Sequence, residues 1–311
     1  RTSATEDDGT AVLARVPGGS ALNDRLQVTV GSRRDCGAHV KMKMKEDWLV
    51  HMAILRDIGF NVNGRDLLEI GTGWLPVFPL CYAMAGARRT LTYDINRHMQ
   101  FDAVPTTVQE LESHIDVIAS AAAVPAALVR ERWQRLVQLR DGAGILEAAG
   151  IIYHAPSNAT ATGLSDDSVS MVFSNSVLEH VSAGVLAPLM RESYRVLCSG
   201  GLMLHSVNCG DHYAYFDSSI TPIHYLRFSE AQWGWWNNDL LYQNRLRPTD
   251  FLSAAREGRF DIVRDLHGPR EELIAIFGSL PIAPEFRRYP PEELCCTSIT
   301  FAATPIGKLC V

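Results

Sequence analysis

A glycine-rich segment, residues 68–73 with the sequence LEIGTG, limits most strongly what this chain can fold into. It overlaps a predicted strand at 66–70 and precedes a predicted helix at 77–87, where Pro76 stands at the helix start and its missing N–H costs nothing. A second predicted strand follows at 90–94. The succession of strand, glycine turn, helix and strand predicts a βαβ unit, and therefore a parallel sheet with a right-handed crossover.

The same alternation continues along the chain. Apolar periodicity predicts further strands at 150–154, 170–174, 202–207, 260–265 and 297–303, and helices at 43–60, 107–121, 125–140, 186–197 and 248–256. We interpret 1–40 as an N-terminal arm and 41–311 as one domain, with a helical insertion at 97–150 and an aromatic-rich cap at 209–245. The predicted fold is α/β and Rossmann-like: a doubly wound, mainly parallel sheet of seven strands with helical and aromatic-rich insertions.

Composition excludes some classes of partner. The formal net charge is −6 and the basic residues are scattered, which argues against a nucleic-acid partner. No run of about 18 apolar residues predicts a membrane span, and no secretory pattern opens the sequence. The seven cysteines are odd in number and lack a Cys-x-x-Cys pair, so neither a zinc site nor a disulfide framework is expected. A cytoplasmic protein fits best.

The residues around the glycine turn distinguish between two classes of nucleotide-like cofactor. Asp94 stands about 20 residues beyond the turn, at the end of the next strand, where a carboxylate can bind both hydroxyls of a ribose. Dinucleotides and S-adenosylmethionine share that feature. Pro76 occupies the third glycine position of a dinucleotide fingerprint. Glu69 would repel a pyrophosphate but suits a cationic cofactor with an amino group and a sulfonium. A nicotinamide-dependent oxidoreductase is therefore the weaker alternative.

Five short motifs then occur in order, and together they resemble those of class I S-adenosylmethionine-dependent methyltransferases, in the branch with a Leu-Glu-His-Val signature after strand four. The resemblance covers roughly residues 45–208. The motifs are Glu69-x-Gly71-x-Gly73, Asp94, Asn158-Ala159, the run from Ser174 to Val181, and the run from Arg195 to Gly201.

The resemblance implies S-adenosylmethionine as cofactor and S-adenosylhomocysteine as product. It assigns the turn residues to the methionine part, Asp94 to the ribose, the pair after strand three to the adenine, and the end of strand four to the methyl-transfer site. The expected cofactor-binding residues are Glu69, Gly71, Thr72, Gly73, Asp94, Asn158, Ala159, Ser174 and Asn175. Many relatives have Asp at the position of Asn158, whose amide can present either an acceptor or a donor to adenine.

Transfer to a hydroxyl needs a base for the proton, and three histidines are candidates. His180 lies just past strand four, on the cofactor edge. After strand five, His212 is a candidate base with Asp217 as its orienting partner, and His224 follows shortly after. Asp211, Asp217 and the two later histidines could instead bind a divalent metal, but no recognised ligand spacing is present, so no metal site is expected.

The cap supplies aromatic residues for an acceptor. Trp233, Trp235 and Trp236 lie within four residues, and we expect most of the aromatic side chains to pack on the sheet while one or two line a pocket. Arg245 or Arg247 could hold an acidic group, with a surface role equally open. The predicted function is methyl transfer to a small-molecule acceptor, with a hydroxyl of a sugar or secondary metabolite favoured.

Three other interpretations stay open: N- or C-methylation, a catalytically inactive cofactor-binding module, and a homodimer that uses the 97–150 segment as its interface.

Overall fold

The computed structural model describes residues 35–215, 217–237 and 242–308. Within them, seven strands form one sheet in the order β3-β2-β1-β4-β5-β7-β6. Strand β7 runs antiparallel to the two strands beside it, and all other neighbouring pairs are parallel. The strands are β1 (Asp66–Ile70), β2 (Arg89–Tyr93), β3 (Ile151–His154), β4 (Val169–Asn175), β5 (Leu197–Asn208), β6 (Phe260–Leu266) and β7 (Ser298–Pro305). The predicted mainly parallel, seven-stranded α/β sheet is confirmed.

Helices cover both faces of this sheet. They are α1 (Cys36–Met42), α2 (Leu49–Asp57), α3 (Val77–Ala85), α4 (Val104–Glu110), α5 (Ile115–Ala122), α6 (Ala126–Val137), α7 (Gly142–Ala148), α8 (Ala183–Val196), α9 (Glu230–Trp236), α10 (Pro248–Glu257), α11 (Glu271–Phe277) and α12 (Pro291–Leu294). A π-helical segment, Lys43–Trp48, joins α1 to α2.

Three apolar clusters hold these layers together. One lies between the sheet and the helices α1 to α7 and includes Trp48 and Phe173. The second lies on the other face, under α8 and α10, and includes Met190 and Phe251. The third unites the cap with the segment that precedes β7, around Trp233. The cap is therefore a small layer with its own core rather than a loose loop.

Several boundaries differ from the prediction. The first helix begins at Cys36, inside the predicted arm, while residues 1–34 of that arm lie outside the described part of the chain. The predicted helix at 43–60 is a π-helical segment followed by a helix that ends at Asp57. The helix predicted at 107–121 is divided by the 3₁₀ turn Leu111–His114. Strand β5 was predicted at 202–207, but it begins at Leu197 and includes Gly200 and Gly201.

Among residues 35–215, 217–237 and 242–308, no helix has both the length and the apolar character that a membrane span requires.

Candidate functional site

The carboxyl ends of the central parallel strands meet at one edge of the sheet. The turn at Gly71 follows β1, Asp94 follows β2, Asn175 ends β4 and Asn208 ends β5. Ligands of open α/β sheets bind at this edge, where the crossover direction reverses. A wide surface groove near Asp66 lies at the opposite edge, at the start of β1, and is separate from this site.

Hydrogen bonds attach the glycine turn to both adjacent strands. Gly71 has φ +74°, a left-handed conformation that favours glycine, and its N–H donates to Tyr93 O at 2.8 Å. The N–H of Gly73 donates to Asp94 Oδ2 at 3.2 Å. The hydroxyl of Thr72 donates to Glu69 Oε2. The turn is therefore fixed in a shape that leaves its outer surface free for a ligand.

Two buried carboxylates give this turn its electrostatic character. Burial raises the pKa of Glu69 to about 7, with a further contribution from Asp94 and an opposing one from Lys43. Burial also raises the pKa of Asp94. A Cβ built on Gly73 would contact nothing within 4 Å, so there is room above the turn. Carboxylates in this position accept hydrogen bonds and attract cations, and they disfavour a pyrophosphate.

The loop after β3 carries the predicted adenine-binding pair. Asn158 is exposed, and its Oδ1 accepts hydrogen bonds from the N–H and the hydroxyl of Thr160, both at 2.9 Å. Ala159 packs against the core under α8. The N–H of Ser157 donates to Asp94 O at 2.8 Å, which holds this loop beside the end of β2. Because both lone pairs of the Asn158 oxygen are used, its NH₂ is the group left for a ligand.

The two residues at the end of β4 have different surroundings. Ser174 is fully buried and its hydroxyl is 2.7 Å from His205 Nδ1, so its side chain does not reach the open edge as expected. Asn175 does lie at that edge, where its NH₂ donates to Asp47 Oδ2 at 2.9 Å. Its Oδ1 is buried and has no hydrogen-bond partner.

The π-helical segment contributes charged residues that the sequence analysis did not assign to the site. Lys43 Nζ lies 3.2 Å from Asp47 Oδ2, and Lys43 lowers the pKa values of both Glu69 and Glu179 by its charge. A π-helical turn shifts the direction of side chains relative to an α-helix, and such turns often occur at functional sites. The α-helical spacing used for prediction could not have revealed this, because it assumes a regular helix over these residues.

Glu179, His180 and His212 form the most unusual group of the site. One ring nitrogen of each histidine and one oxygen of Glu179 all lie within 4.8 Å of one another. The rings of His180 and His212 have their centroids 5.2 Å apart. Both Glu179 oxygens and His212 Nε2 are buried without a hydrogen-bond partner. His180 Nδ1 is 2.7 Å from Tyr242 O and donates to it, which leaves Nε2 free.

Burial changes the protonation of this group. It raises the pKa of Glu179 to about 8 and lowers the pKa of His212 to about 4, to which the neighbouring His180 also contributes. Partial burial of its ring lowers the pKa of His180 as well, although the residue is exposed at the surface. Both histidines are therefore neutral at neutral pH, and their free nitrogens carry lone pairs.

The predicted pairing of His212 with Asp217 is wrong. Asp217 Oδ1 accepts from the N–H of Ser219 at 2.8 Å, whereas the neighbours of the His212 ring are His180 and Tyr215. His224 also lies outside the group: its Nε2 is 3.1 Å from an Arg227 nitrogen. Sequence proximity suggested these partners, but the 3₁₀ turn His212–Tyr215 directs His212 towards the end of β4.

The cap arginines are buried, which contradicts both roles considered for them. Arg245 donates to Tyr225 O and Phe228 O and pairs with Glu230. The side chain of Arg247 is completely buried among backbone carbonyls. Neither guanidinium is free for an acceptor.

The tryptophans of the cap differ in exposure. Trp233 is buried in the cap core, as expected for most of the aromatic residues, and Trp235 is 74% exposed. The side chain of Trp236 lies outside the described part of the structure. Tyr215 is also exposed, and its hydroxyl accepts a hydrogen bond from Asn208 Nδ2 at 2.5 Å, at the end of β5.

The sheet order, the glycine turn preceded by a buried glutamate, and the aspartate at the end of β2 give this α/β protein a site whose chemistry suits a cationic, ribose-containing cofactor. A family model described as a methyltransferase domain matches residues 120–205. This segment of the chain is therefore similar to methyltransferase domains.

Solved structures with a similar fold have low sequence identity to this chain. An S-adenosylmethionine-dependent methyltransferase from Mesorhizobium loti is 16% identical, over 81% of this chain and 95% of that chain, with a TM-score of 0.43. A geranyl diphosphate methyltransferase in complex with S-adenosylmethionine is 13% identical, over 87% of this chain and 90% of that chain, with a TM-score of 0.46. No curated protein sequence matches this chain significantly.

Proposed function

We propose that this chain is a class I S-adenosylmethionine-dependent methyltransferase, and that it transfers the methyl group to a hydroxyl oxygen of a small molecule, a sugar or a secondary metabolite. The observation that supports an oxygen acceptor is the pair of neutral histidines beside the end of β4. A hydroxyl must lose its proton to become a good nucleophile, whereas a neutral amine need not. Free imidazole nitrogens next to the methyl-transfer position serve that purpose.

The cofactor assignment follows from the chemistry of the donor set. Glu69, with the turn at Gly71, Thr72 and Gly73, suits the cationic amino end of the methionine part. Asp94 suits the ribose hydroxyls, which donate to its carboxylate. When bound, S-adenosylmethionine supplies an electrophilic methyl group.

The remaining cofactor contacts are assigned to the ends of β3 and β4. Asn158 offers an NH₂ donor to the adenine ring, with Ala159 beside it. Asn175 borders the methyl-transfer position with its side chain, and the fully buried Ser174 contributes through its backbone alone.

Acceptor activation is assigned to His180 and His212. The 3₁₀ turn Leu178–His180 and the one that begins at His212 hold the two rings together at the ends of β4 and β5. Asn244 stabilises the first turn, since its NH₂ donates to Leu178 O at 2.6 Å and to Val181 O at 2.7 Å. A ring held by such contacts is oriented before the acceptor arrives, and orientation is a large part of transfer catalysis.

We expect His180→Ala and His212→Ala each to reduce turnover about 100-fold or more, while S-adenosylmethionine affinity changes little. The loss follows from removing a free nitrogen from the acceptor position, since neither histidine belongs to the glycine turn. The measurement is methyl transfer to a panel of hydroxyl, amine and carbon acceptors, with the methylated atom identified by NMR. Cofactor affinity is measured in parallel by calorimetry.

His114→Ala is the matched control, because His114 lies in the 3₁₀ turn between α4 and α5, away from the site. It should leave both turnover and cofactor affinity unchanged. Full activity of both site variants, or methylation of amines alone, would overturn the oxygen-acceptor proposal.

The affinity for S-adenosylmethionine should depend on pH through Glu69. Its pKa of about 7 means that the carboxyl is half protonated at neutral pH in the free protein, where Asp94 raises and Lys43 lowers that value. A cationic amino group prefers the ionised form. Affinity should therefore increase by up to about tenfold per pH unit below the pKa and level off above it. Binding isotherms between about pH 5.5 and 8.5 measure this.

Glu69→Gln is the comparison, since it keeps the shape of the side chain and removes the titration. It should bind weakly at all these pH values, with a nearly flat profile. A pH dependence as steep as that of the original chain would show that another group controls binding.

Other aspects of the proposal concern partners and location. We retain a small-molecule acceptor, with neither nucleic acid nor membrane as a partner, and a homodimer through the 97–150 segment. A cytoplasmic location belongs to the same proposal, and the six cysteines in the described part of the chain are free thiols.

A further inference from the structure

We propose that Glu179, His180 and His212 bind a divalent transition-metal ion. The three side chains bring two imidazole nitrogens and one carboxylate oxygen within 4.8 Å of one another, at the end of β4. Two histidines and one carboxylate with open remaining positions form a donor set that suits zinc, iron, cobalt or nickel ions better than magnesium or calcium, because imidazole is a borderline-soft ligand.

The unpartnered atoms of this group are the observation that points to a ligand. Glu179 is 1% exposed, and neither of its oxygens has a hydrogen-bond partner of good geometry. The backbone N–H groups of Glu179 and Asn208 do approach the carboxyl, and they lower its pKa. His212 Nε2 is buried and unpartnered as well. Buried polar atoms are nearly always satisfied, so several such atoms facing one another require an explanation. A cation between them would satisfy the lone pairs together.

The surroundings of His180 match those of a metal-binding histidine. Metal ligands of this type usually donate their second ring N–H to a carbonyl or carboxylate, which fixes the ring and the tautomer. His180 Nδ1 is 2.7 Å from Tyr242 O, so the free nitrogen is Nε2. The N–H of Asn244 donates to Glu179 O at 2.7 Å, and the Asn244 side chain holds the rest of the turn. The cap thus orients Glu179 and His180, the two proposed ligands that lie on the 3₁₀ turn Leu178–His180.

The charges around the group are compatible with a cation. Lys43 is the basic residue that acts on Glu179, and it is paired with Asp47 at 3.2 Å. Asn175, four residues before Glu179, adds another buried oxygen without a partner at the same strand end. His180 is exposed and His212 partly so, which gives the ion an access route and leaves positions for an acceptor.

The role of the ion in methyl transfer rests on the function proposed above, whereas the binding itself does not. An ion at this place would hold the acceptor hydroxyl and lower its pKa, so that the two histidines act as ligands rather than as the proton acceptor. The histidine-base proposal and the metal proposal both place His180 and His212 beside the acceptor. Only the second of them requires a metal ion.

The test is a titration of the chelator-treated, full-length chain with Co²⁺, followed by its visible absorption and by calorimetry. We expect one equivalent to bind, and we expect Glu179→Gln, His180→Ala and His212→Ala each to weaken binding by at least about tenfold. His114→Ala should bind Co²⁺ like the original chain. Retained S-adenosylmethionine binding shows that each variant is folded.

The outcomes separate the two proposals. Absence of stoichiometric Co²⁺ uptake, or equal uptake by Glu179→Gln, would overturn the metal site and leave oxygen methylation with a histidine base standing. Stoichiometric uptake that the three variants lose would support the site even if no hydroxyl acceptor were methylated. Loss of turnover with a hydroxyl acceptor on chelation, restored by Co²⁺, would support the metal site and the oxygen acceptor and would overturn the histidine base.

Discussion

Replacing Gly71 with alanine is expected to destabilise the protein by about 2 to 5 kcal/mol and to weaken S-adenosylmethionine binding more than tenfold. Two effects add. A side chain at φ +74° costs about 1 to 2 kcal/mol in the left-handed region. The new Cβ would also come within 2.5 Å of Val177 Cγ2, so the turn or the segment after β4 must move. Both segments border the proposed cofactor site.

A matched pair of variants separates these effects. Gly64 has φ +72°, but a Cβ there would meet nothing within 4 Å, so Gly64→Ala should cost only the backbone term. Adding Val177→Ala to Gly71→Ala removes both methyl carbons of the clash and leaves a Cβ contact of 3.4 Å, which should restore part of the stability. Chemical denaturation and calorimetry measure the two quantities. Equal losses for Gly64→Ala and Gly71→Ala would contradict the steric explanation.

Arg247→Ala is expected to lower the free energy of unfolding by about 3 to 5 kcal/mol. The Arg247 side chain is fully buried, and its guanidinium donates to Cys209 O at 3.0 Å, to the Tyr225 hydroxyl at 2.8 Å, and to Cys296 O. These acceptors belong to the end of β5, the cap and the segment before β7. Truncation would leave them buried without donors and would loosen the cap from the sheet.

Arg270→Ala serves as the control for losing an arginine, because Arg270 is half exposed and pairs with Glu272 on the surface. Its loss should change stability by less than about 1 kcal/mol. Arg247→Lys should recover only part of the loss, since an ammonium lacks the planar fork that reaches several carbonyls at once. Denaturant unfolding measures all three variants. If Arg247→Ala were as stable as Arg270→Ala, the anchoring role would be refuted.

Local sequence patterns were sufficient for the sheet and the glycine turn. Strand and helix periods are properties of neighbouring residues, and a turn at φ +74° favours glycine wherever the rest of the chain lies. The spacing from Gly71 to Asp94 spans one crossover, so the parallel pairing of β1 with β2 brings both to one edge. The sequence therefore determined the fold class and the position of the glycine turn.

Local sequence patterns could not predict the contacts between residues that are distant in the chain. Ser174 is the last residue of the strand predicted at 170–174, but its burial beside His205 depends on the register of β4 with β5. Lys43 lies in a π-helical segment that local periodicity does not predict, and its charge lowers the pKa values of Glu69 and Glu179. Arginine is usually a surface residue, and the burial of Arg247 follows from carbonyls of two separate segments, at Cys209 and at residues 293–296, together with the Tyr225 hydroxyl.

The group of Glu179, His180 and His212 shows the same division. The sequence identified both histidines as candidates, but it paired His212 with Asp217, which is near in the chain. The tertiary structure instead joins two turns that are 32 residues apart by number, because β4 and β5 are adjacent parallel strands that end at the same edge. Periodicity fixes which residues reach that edge, and only strand order decides which of them meet there.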